Sequence, residues 1–370
     1  MKLIAVMTFL ACSLWAGENW TLLKSDEQIV FYPSIAQRVA GNTNLWRSQI
    51  RGCVFELERR GVMLAALREA LELKDVELTD AEQRIFNERA RLFLVDHERG
   101  KKVFIRLGTN DFFVGKSGAD GRFAGEVLLD EIRLERRVPA RPVGKRLDLR
   151  AEPGLGAPFA AALKPEDRRA FSGAIFPLET EGISVISDID DTIKVTEMRD
   201  RHATLRNTFL REFQAVPGMA QFYQTLTNER NASFHYVSAS PWQLYEPLAA
   251  FVASNGFPAG TFELKPFRWK DRNFFSLFAS PEKYKPSVIE PLLKQFPKRT
   301  FVLIGDSGER DPEIYGALAR KFPEQIFRIL IRDVTNESSW AERYQKAFRD
   351  VPTEKWQIFR EPSEIKCLCE

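Results

Sequence analysis

The chain has 370 residues, a formal net charge of +3 and 44% hydrophobic residues, which exceeds the usual size of one domain and suits two. So balanced a charge gives no ground for a nucleic-acid or acidic-lipid binder held by bulk electrostatics. Beyond the first residues no run of about 18 uncharged apolar residues occurs, so no later membrane-spanning helix is expected.

Met1 to Ala16 has one basic residue, Lys2, and then the uncharged run Leu3 to Trp15. That run suits an export signal removed after Ala16, and an exported protein, periplasmic or secreted, is expected. A lipidated Cys12 is the alternative. Without Cys12 the cysteines are Cys53, Cys367 and Cys369. In an oxidising compartment Cys53 can pair with one of the last two; three unpaired thiols are the other reading. Cys367-Leu368-Cys369 lacks a second ligand pair, and His97, His202 and His235 are scattered, so no zinc-type site is expected.

Residues 17–150 read as a β-rich domain, a small sandwich with a helical insertion. Arg91 to Val95 followed by Glu98-Arg99-Gly100 and the alternating Val103, Ile105 and Leu107 has a hairpin pattern, and Asp120-Gly121 marks a turn before Arg122 to Leu129. Val62 to Leu73 and Asp80 to Ala90 have helical composition, the second capped by Thr79. Prolines and glycines crowd residues 151–182, which read as a linker. In residues 183–370 short apolar runs alternate with helical stretches. The expected strands are Ile183 to Ser187, Ser233 to Val237, Thr261 to Leu264, Thr300 to Ile304, Ile326 to Ile331 and Trp356 to Phe359. This alternation predicts an α/β fold with a doubly wound parallel sheet, whose ligands bind at the carboxyl ends of the strands.

The strand Ile183 to Ser187 runs into Asp188-Ile189-Asp190-Asp191-Thr192, two carboxylates one residue apart. That pattern suits a phosphoryl-transfer nucleophile with an acid–base partner; taken alone, it also suits a helix cap. Other strand ends supply the rest of such a site. Val237 is followed by Ser238-Ala239-Ser240-Pro241, with hydroxyls and backbone N–H groups for phosphate oxygens. Ile304 is followed by Gly305-Asp306-Ser307-Gly308-Glu309-Arg310-Asp311, and Lys285 precedes Pro286 at an expected helix start. Ser240 competes with Ser238, and Lys283 with Lys285. A calcium loop is the weaker reading because Ile193 and Arg199 stand where glycine and glutamate are needed, and Gly115-Lys116-Ser117 lacks the first glycine of a P-loop. Asp191 reads as a solvated neighbour and His235 as a core histidine.

Taken in chain order, these four motifs, three at strand ends and Lys285 at a helix start, resemble those of the haloacid-dehalogenase-like phosphatases. The stretches Asp188 to Lys194, Asn207-Thr208-Phe209-Leu210, Pro217-Gly218-Met219, Tyr236 to Tyr245 and Gly305-Asp306-Ser307-Gly308 look like the catalytic domain of the actin-patch-protein family of phosphatidate phosphatases, related to the lipins. The resemblance covers about residues 180–335. It implies that Asp188 attacks phosphorus, that Asp190 handles the proton of the leaving group and of water, and that Thr192 fixes Asp190. It further implies Mg²⁺ held by Asp188, Asp306 and the backbone carbonyl of Asp190, with Asp311 orienting metal-bound water and Ser238 and Lys285 holding the phosphoryl group.

The aromatic and basic stretch Phe267 to Phe278 offers a peripheral membrane contact, although a core-facing stripe explains it as well. Residues 193–216 lie where such phosphatases carry a small cap, with Arg199, Arg201 and Arg206 as candidate headgroup contacts. The expectation is an exported Mg²⁺-dependent phosphatase for phosphatidate or a related lipid phosphate. The alternatives are a phosphatase for a soluble phosphomonoester and a non-catalytic envelope- or lipid-binding protein.

Overall fold

In the computed structural model the described residues are 19–57, 61–71, 73–74, 76–130, 156–266 and 281–366. The expected export signal, Cys12, Cys367, Cys369 and the stretch 267–278 lie outside them. Cys53 is a buried free thiol, pushed up to about 12 by burial.

The first sheet is built from β1 (Glu27–Tyr32), β2 (Ser34–Val39), β3 (Asn42–Glu56), β4 (Asp96–His97), β5 (Lys102–Leu107), β6 (Asn110–Lys116), β7 (Arg122–Asp130), β8 (Ala157–Ala161) and β9 (Ser172–Pro177). Hydrogen bonds link them in the order β1-β3-β2-β9-β8-β5-β6, with β4 and β7 also on β3. Where two separate layers were expected, this is one mixed sheet, since β2 and β9 run parallel while the other pairs are antiparallel. It encloses its own core, including Ile29, Phe31, Ile50, Val103, Phe123, Phe159 and Ile175.

Two differences from the sequence reading stand out. The segment marked as linker contributes β8 and β9, so its prolines and glycines punctuate short strands of the sheet instead of separating domains. Arg91 to Val95 is not the first strand of a hairpin. Arg91–Phe93 forms a 3₁₀ turn, Phe93 and Leu94 pack with Leu67 and Phe86, and β5 pairs with β6. Burial among helical neighbours outweighs the strand pattern there.

Between β3 and β4 lie α1 (Gly61–Ala70) and α2 (Asp80–Ala90). Thr79 caps α2 as expected, in a capping box closed by Glu82. Arg89 of α2 reaches across to the second half of the chain, donating to the carbonyls of Thr208 and Arg211 at 2.7 Å each with its guanidinium over the Phe213 ring. Tyr32 packs on Trp242, and Arg51 pairs with Glu263 at 2.6 Å.

The second sheet contains β10 (Glu181–Ser187), β11 (Ser233–Pro241), β12 (Gly260–Lys265), β13 (Lys298–Asp306), β14 (Ile326–Arg332) and β15 (Trp356–Phe359). All its neighbours are parallel, in the order β12-β11-β10-β13-β14-β15. The helices are α3 (Arg201–Phe209), α4 (Met219–Arg230), α5 (Tyr245–Ser254), α6 (Pro281–Gln295), α7 (Asp311–Lys321) and α8 (Glu342–Ala347). Both sheet faces are covered because the strands alternate. Val185, Val302 and Ile304 pack with Tyr223, Leu226 and Phe251, whereas Ile186, Phe301 and Leu303 pack with Ile289, Leu293, Tyr315 and Leu318.

The chain moves outward from β10 to β12 and then crosses back to β13. The strand order therefore reverses between β10 and β13, the place at which open parallel sheets bind their ligands. Asp188 and Asp306 stand on its two sides.

Candidate active site

The loop after β10 is a single tight turn. Asp188 N–H still reaches the carbonyl of Ile304 at 2.8 Å, and the N–H groups of Ile193 and Lys194 both return to the carbonyl of Ile189 at 3.0 Å. Residues four apart are thereby stacked. Thr192 Oγ1 donates to Asp188 Oδ2 at 3.1 Å, and Lys194 Nζ lies 2.9 Å from Asp190 Oδ1. Thr192 thus holds Asp188, not Asp190 as the resemblance implied.

Asp191 also differs from expectation. It is buried, adopts the left-handed conformation at φ 56°, and its carboxylate accepts the N–H groups of Thr196, Glu197 and Met198 at 2.7–2.8 Å. An aspartate tolerates this backbone and caps the next turn instead of facing solvent.

Asp188 Oδ1 meets Lys285 Nζ at 2.8 Å, and the same ammonium lies 2.9 Å from Glu309 Oε2 and 2.5 Å from Asp311 Oδ1. Lys285 is fully buried whereas Lys283 is exposed, which decides between the two. The helix begins earlier than expected: α6 starts at Pro281, Pro286 lies within it, and Lys285 occupies its second turn. A run with two prolines, Pro281 and Pro286, offers two possible first positions, and pattern alone cannot rank them.

The loop after β13 folds onto itself. Asp306 Oδ1 accepts the N–H groups of Gly308 at 2.6 Å and Glu309 at 3.2 Å, while Asp311 Oδ2 accepts Asp306 N–H at 3.2 Å. Arg343 clamps this loop from outside, donating to the carbonyls of Ser307 and Glu309. A Cβ on Gly305 would lie 2.2 Å from Asp311 Oδ2, so only glycine leaves room for that carboxylate.

Asp188, Asp306, Glu309 and Asp311 bring carboxylate oxygens within 4.8 Å of one another. Four carboxylates with the ammonium of Lys285 leave a formal charge of −3, counted over these five side chains, in a buried crevice. Burial pushes the carboxyls of Asp188, Asp306 and Glu309 up; the other acids add to this and Lys285 opposes it. Burial also opposes the charge on Lys285, but Asp188, Asp311 and Glu309 outweigh it and hold the ammonium well above its ordinary range. Asp306 Oδ2 is buried without a hydrogen-bond partner. An all-oxygen donor set, an orphaned carboxylate oxygen and excess negative charge fit a hard divalent cation.

The side chain of Asp190 stands apart from this cluster. Its Oδ1 takes Lys194 and Thr196, and its Oδ2 accepts from Ser238 Oγ at 2.8 Å and Ser240 Oγ at 2.9 Å. Burial would raise its proton affinity, but Lys194 and the hydroxyls prevail and hold it at about 2. Both candidate serines therefore serve one oxygen, and the geometry does not separate them. Sequence reasoning passed over Lys194 and Glu309. Their signals were spacing: four residues after Asp190 and three after Asp306.

Residues 183–333 match the family described as phosphatidate phosphatase APP1, catalytic domain. This segment is similar to that catalytic-domain family. Phosphatidate phosphatase APP1 of Saccharomyces cerevisiae is 39% identical over 188 residues, which is 50% of this chain and 30% of the yeast protein. An uncharacterised protein of Schizosaccharomyces pombe is 34% identical over 173 residues, 46% of this chain and 28% of that protein. The chain thus spans less than a third of either relative, and the family match covers the parallel-sheet segment that carries the site. The motifs read at Asp188, Ser238, Lys285 and Asp306 all fall within the catalytic-domain segment.

Proposed function

We propose that this protein is a Mg²⁺-dependent phosphatase of the haloacid-dehalogenase-like type, acting on phosphatidate or a related lipid phosphomonoester. The match of residues 183–333 to a phosphatidate phosphatase catalytic domain and the activity for which the yeast relative is named support the reaction class. The observation that carries the reading is Asp188 at the carboxyl end of a central parallel strand, facing Lys285 and three further carboxylates across the reversal of strand order. The doubly wound fold is supported by that strand order and by helices on both faces. We take residues 183–370 as the phosphatase domain and the preceding β-rich part as its companion.

Asp188, Asp306 and the backbone carbonyl of Asp190 would hold Mg²⁺, with Glu309 and Asp311 adjoining. When bound, the cation supplies positive charge between the attacking carboxylate and the phosphoryl group. In the first step an oxygen of Asp188 bonds to phosphorus as the bond from phosphorus to the leaving oxygen breaks, and that oxygen takes a proton from Asp190. In the second, water bonds to phosphorus, its proton passes to Asp190, and the aspartyl-phosphate bond breaks. Lys285 neutralises charge on the phosphoryl oxygens, Asp311 holds Lys285, and Thr192 orients Asp188. Asp190 begins as a carboxylate. A phosphoryl group arriving at Ser238 draws hydroxyls from Oδ2 and brings negative charge beside it, and both changes favour its protonation.

A substrate panel tests this function. Phosphate release from phosphatidate in mixed micelles, dependent on Mg²⁺ and exceeding release from sugar and nucleoside phosphates, is the expected result. Preference for the soluble esters overturns the lipid assignment, and release unaffected by EDTA overturns the metal. Replacing Gly305 by Ala forces Asp311 off Lys285 and is expected to lower kcat on p-nitrophenyl phosphate about 100-fold. An unchanged kcat in Gly305→Ala would remove Asp311 from the reading.

Peripheral membrane contact is part of the same proposal. Trp340, in the connection between β14 and α8, is 79% exposed, and an indole suits the headgroup layer. Trp340→Ala is expected to reduce turnover of phosphatidate in vesicles several-fold and leave that of p-nitrophenyl phosphate unchanged; equal effects on both would place its role elsewhere. Export, read from residues 1–16, is a proposal that fractionation of the producing cell tests.

A further inference from the structure

The two oxygens of Asp190 are held by different parts of the fold. Oδ1 meets Lys194 Nζ at 2.9 Å and accepts from Thr196 Oγ1 at 2.8 Å, both from the turn that Asp190 itself begins. Oδ2 accepts from Ser238 and Ser240, which arrive on β11. The partners of Oδ1 are fixed by backbone hydrogen bonds. Asp191 N–H reaches the carbonyl of Lys194 at 2.7 Å, Lys194 N–H reaches that of Ile189 at 3.0 Å, and Thr196 N–H reaches the Asp191 carboxylate at 2.8 Å. Lys194 is 1% exposed, and its ammonium also contacts Thr196 Oγ1 and lies 4.9 Å from the centre of the Phe213 ring. The partners of Oδ2 are the hydroxyls of Ser238 and Ser240, from a different strand.

We propose that Lys194 is a positioning residue of the acid–base carboxylate: with Thr196 it anchors Oδ1 of Asp190, so that Oδ2 is the oxygen exchanging a proton with the leaving group. The inference rests on the phosphatase reading. Lys194 touches neither the carboxylate cluster nor Lys285 in the contacts described above, so its influence on turnover runs through Asp190. An ion pair with a purely structural role would stabilise the loop but have no bearing on which leaving groups depart.

The leaving group therefore provides the test. p-Nitrophenolate departs with little need of a proton, whereas the glyceryl alkoxide of dioctanoyl phosphatidate, a water-soluble alkyl phosphomonoester, needs one. With full-length protein, Lys194→Met is expected to lower kcat on dioctanoyl phosphatidate about 100-fold and on p-nitrophenyl phosphate less than about 10-fold, with KM for either little changed. Lys194→Arg, which keeps a cation near Oδ1, recovers part of the alkyl activity. Equal losses on the two esters, or no loss on either, overturn the proposal. Removing one partner of a buried ion pair can unfold a protein, so thermal melting accompanies the assays. If Lys194→Met does not fold, Thr196→Val removes the other Oδ1 donor and must give the same bias, about 10-fold, or the proposal falls. Wild-type protein that hydrolyses neither ester overturns the phosphatase reading itself, an outcome distinct from unbiased losses in the variants.

Discussion

Asp188→Asn is expected to abolish phosphate release from p-nitrophenyl phosphate, a loss of about 10⁴-fold or more, while the protein remains folded. The amide keeps the size and shape of the carboxylate but has no negative oxygen to attack phosphorus. Thr192 Oγ1 at 3.1 Å still finds a carbonyl oxygen if the amide turns its oxygen that way. Folding is not expected to suffer, because the change removes one of several repelling buried acids. Melting temperature and phosphate release measured on the same preparation separate the two effects. Retained turnover in folded Asp188→Asn would remove Asp188 as the nucleophile.

The second large effect concerns metal and pH together. Asp188, Asp306 and Glu309 bind a proton more tightly when folded than their ordinary values of 3.8 and 4.5 allow, burial being the leading cause. Above those values the folded state holds more protons than the unfolded chain, so these groups make stability fall as pH rises. Asp190, held at about 2, acts in the opposite sense, but its contribution is complete by about pH 5 and is lost only on acidification toward 2. The contribution of Lys285, whose ordinary value is 10.5, changes only at high pH. Buried His235, held at about 3, adds stability as pH rises toward its ordinary 6.5, so in EDTA the melting temperature is expected to decline above about pH 7. Mg²⁺ at about 100 times its dissociation constant adds about 2.7 kcal/mol, a rise on the order of 5 °C near pH 8, and flattens the decline. A melting temperature that is flat in EDTA and unmoved by Mg²⁺ would exclude a cation from the acidic cluster.

Sequence patterns placed the six strands of the parallel sheet within two residues at their starts and four at their ends, because a strand buried on both faces is a continuous apolar run. They were less successful in the first half. There β8 and β9 lie among prolines and glycines, and Phe93 and Leu94 are apolar for a helical neighbour's sake. Half-buried elements carry weaker periodic signals, and their partners lie far along the chain.

The sequence alone marks the candidate site: Asp188, Ser238, Lys285, Asp306 and Asp311 each stand beside a short apolar run or a helix signal. Spacing also contained Lys194 and Glu309, though it does not say which of many charged residues turn inward. Which of these side chains meet is set by the folded chain. It gave Thr192 to Asp188, gave Lys194 and both serines to Asp190, and set Lys285 among Asp188, Glu309 and Asp311. The reason is physical. A motif fixes what a residue can do, whereas the crossing of β10, β11 and β13 and the turns that end them fix which donor meets which oxygen within 3 Å, and in a buried crevice that contact sets the charge each group carries.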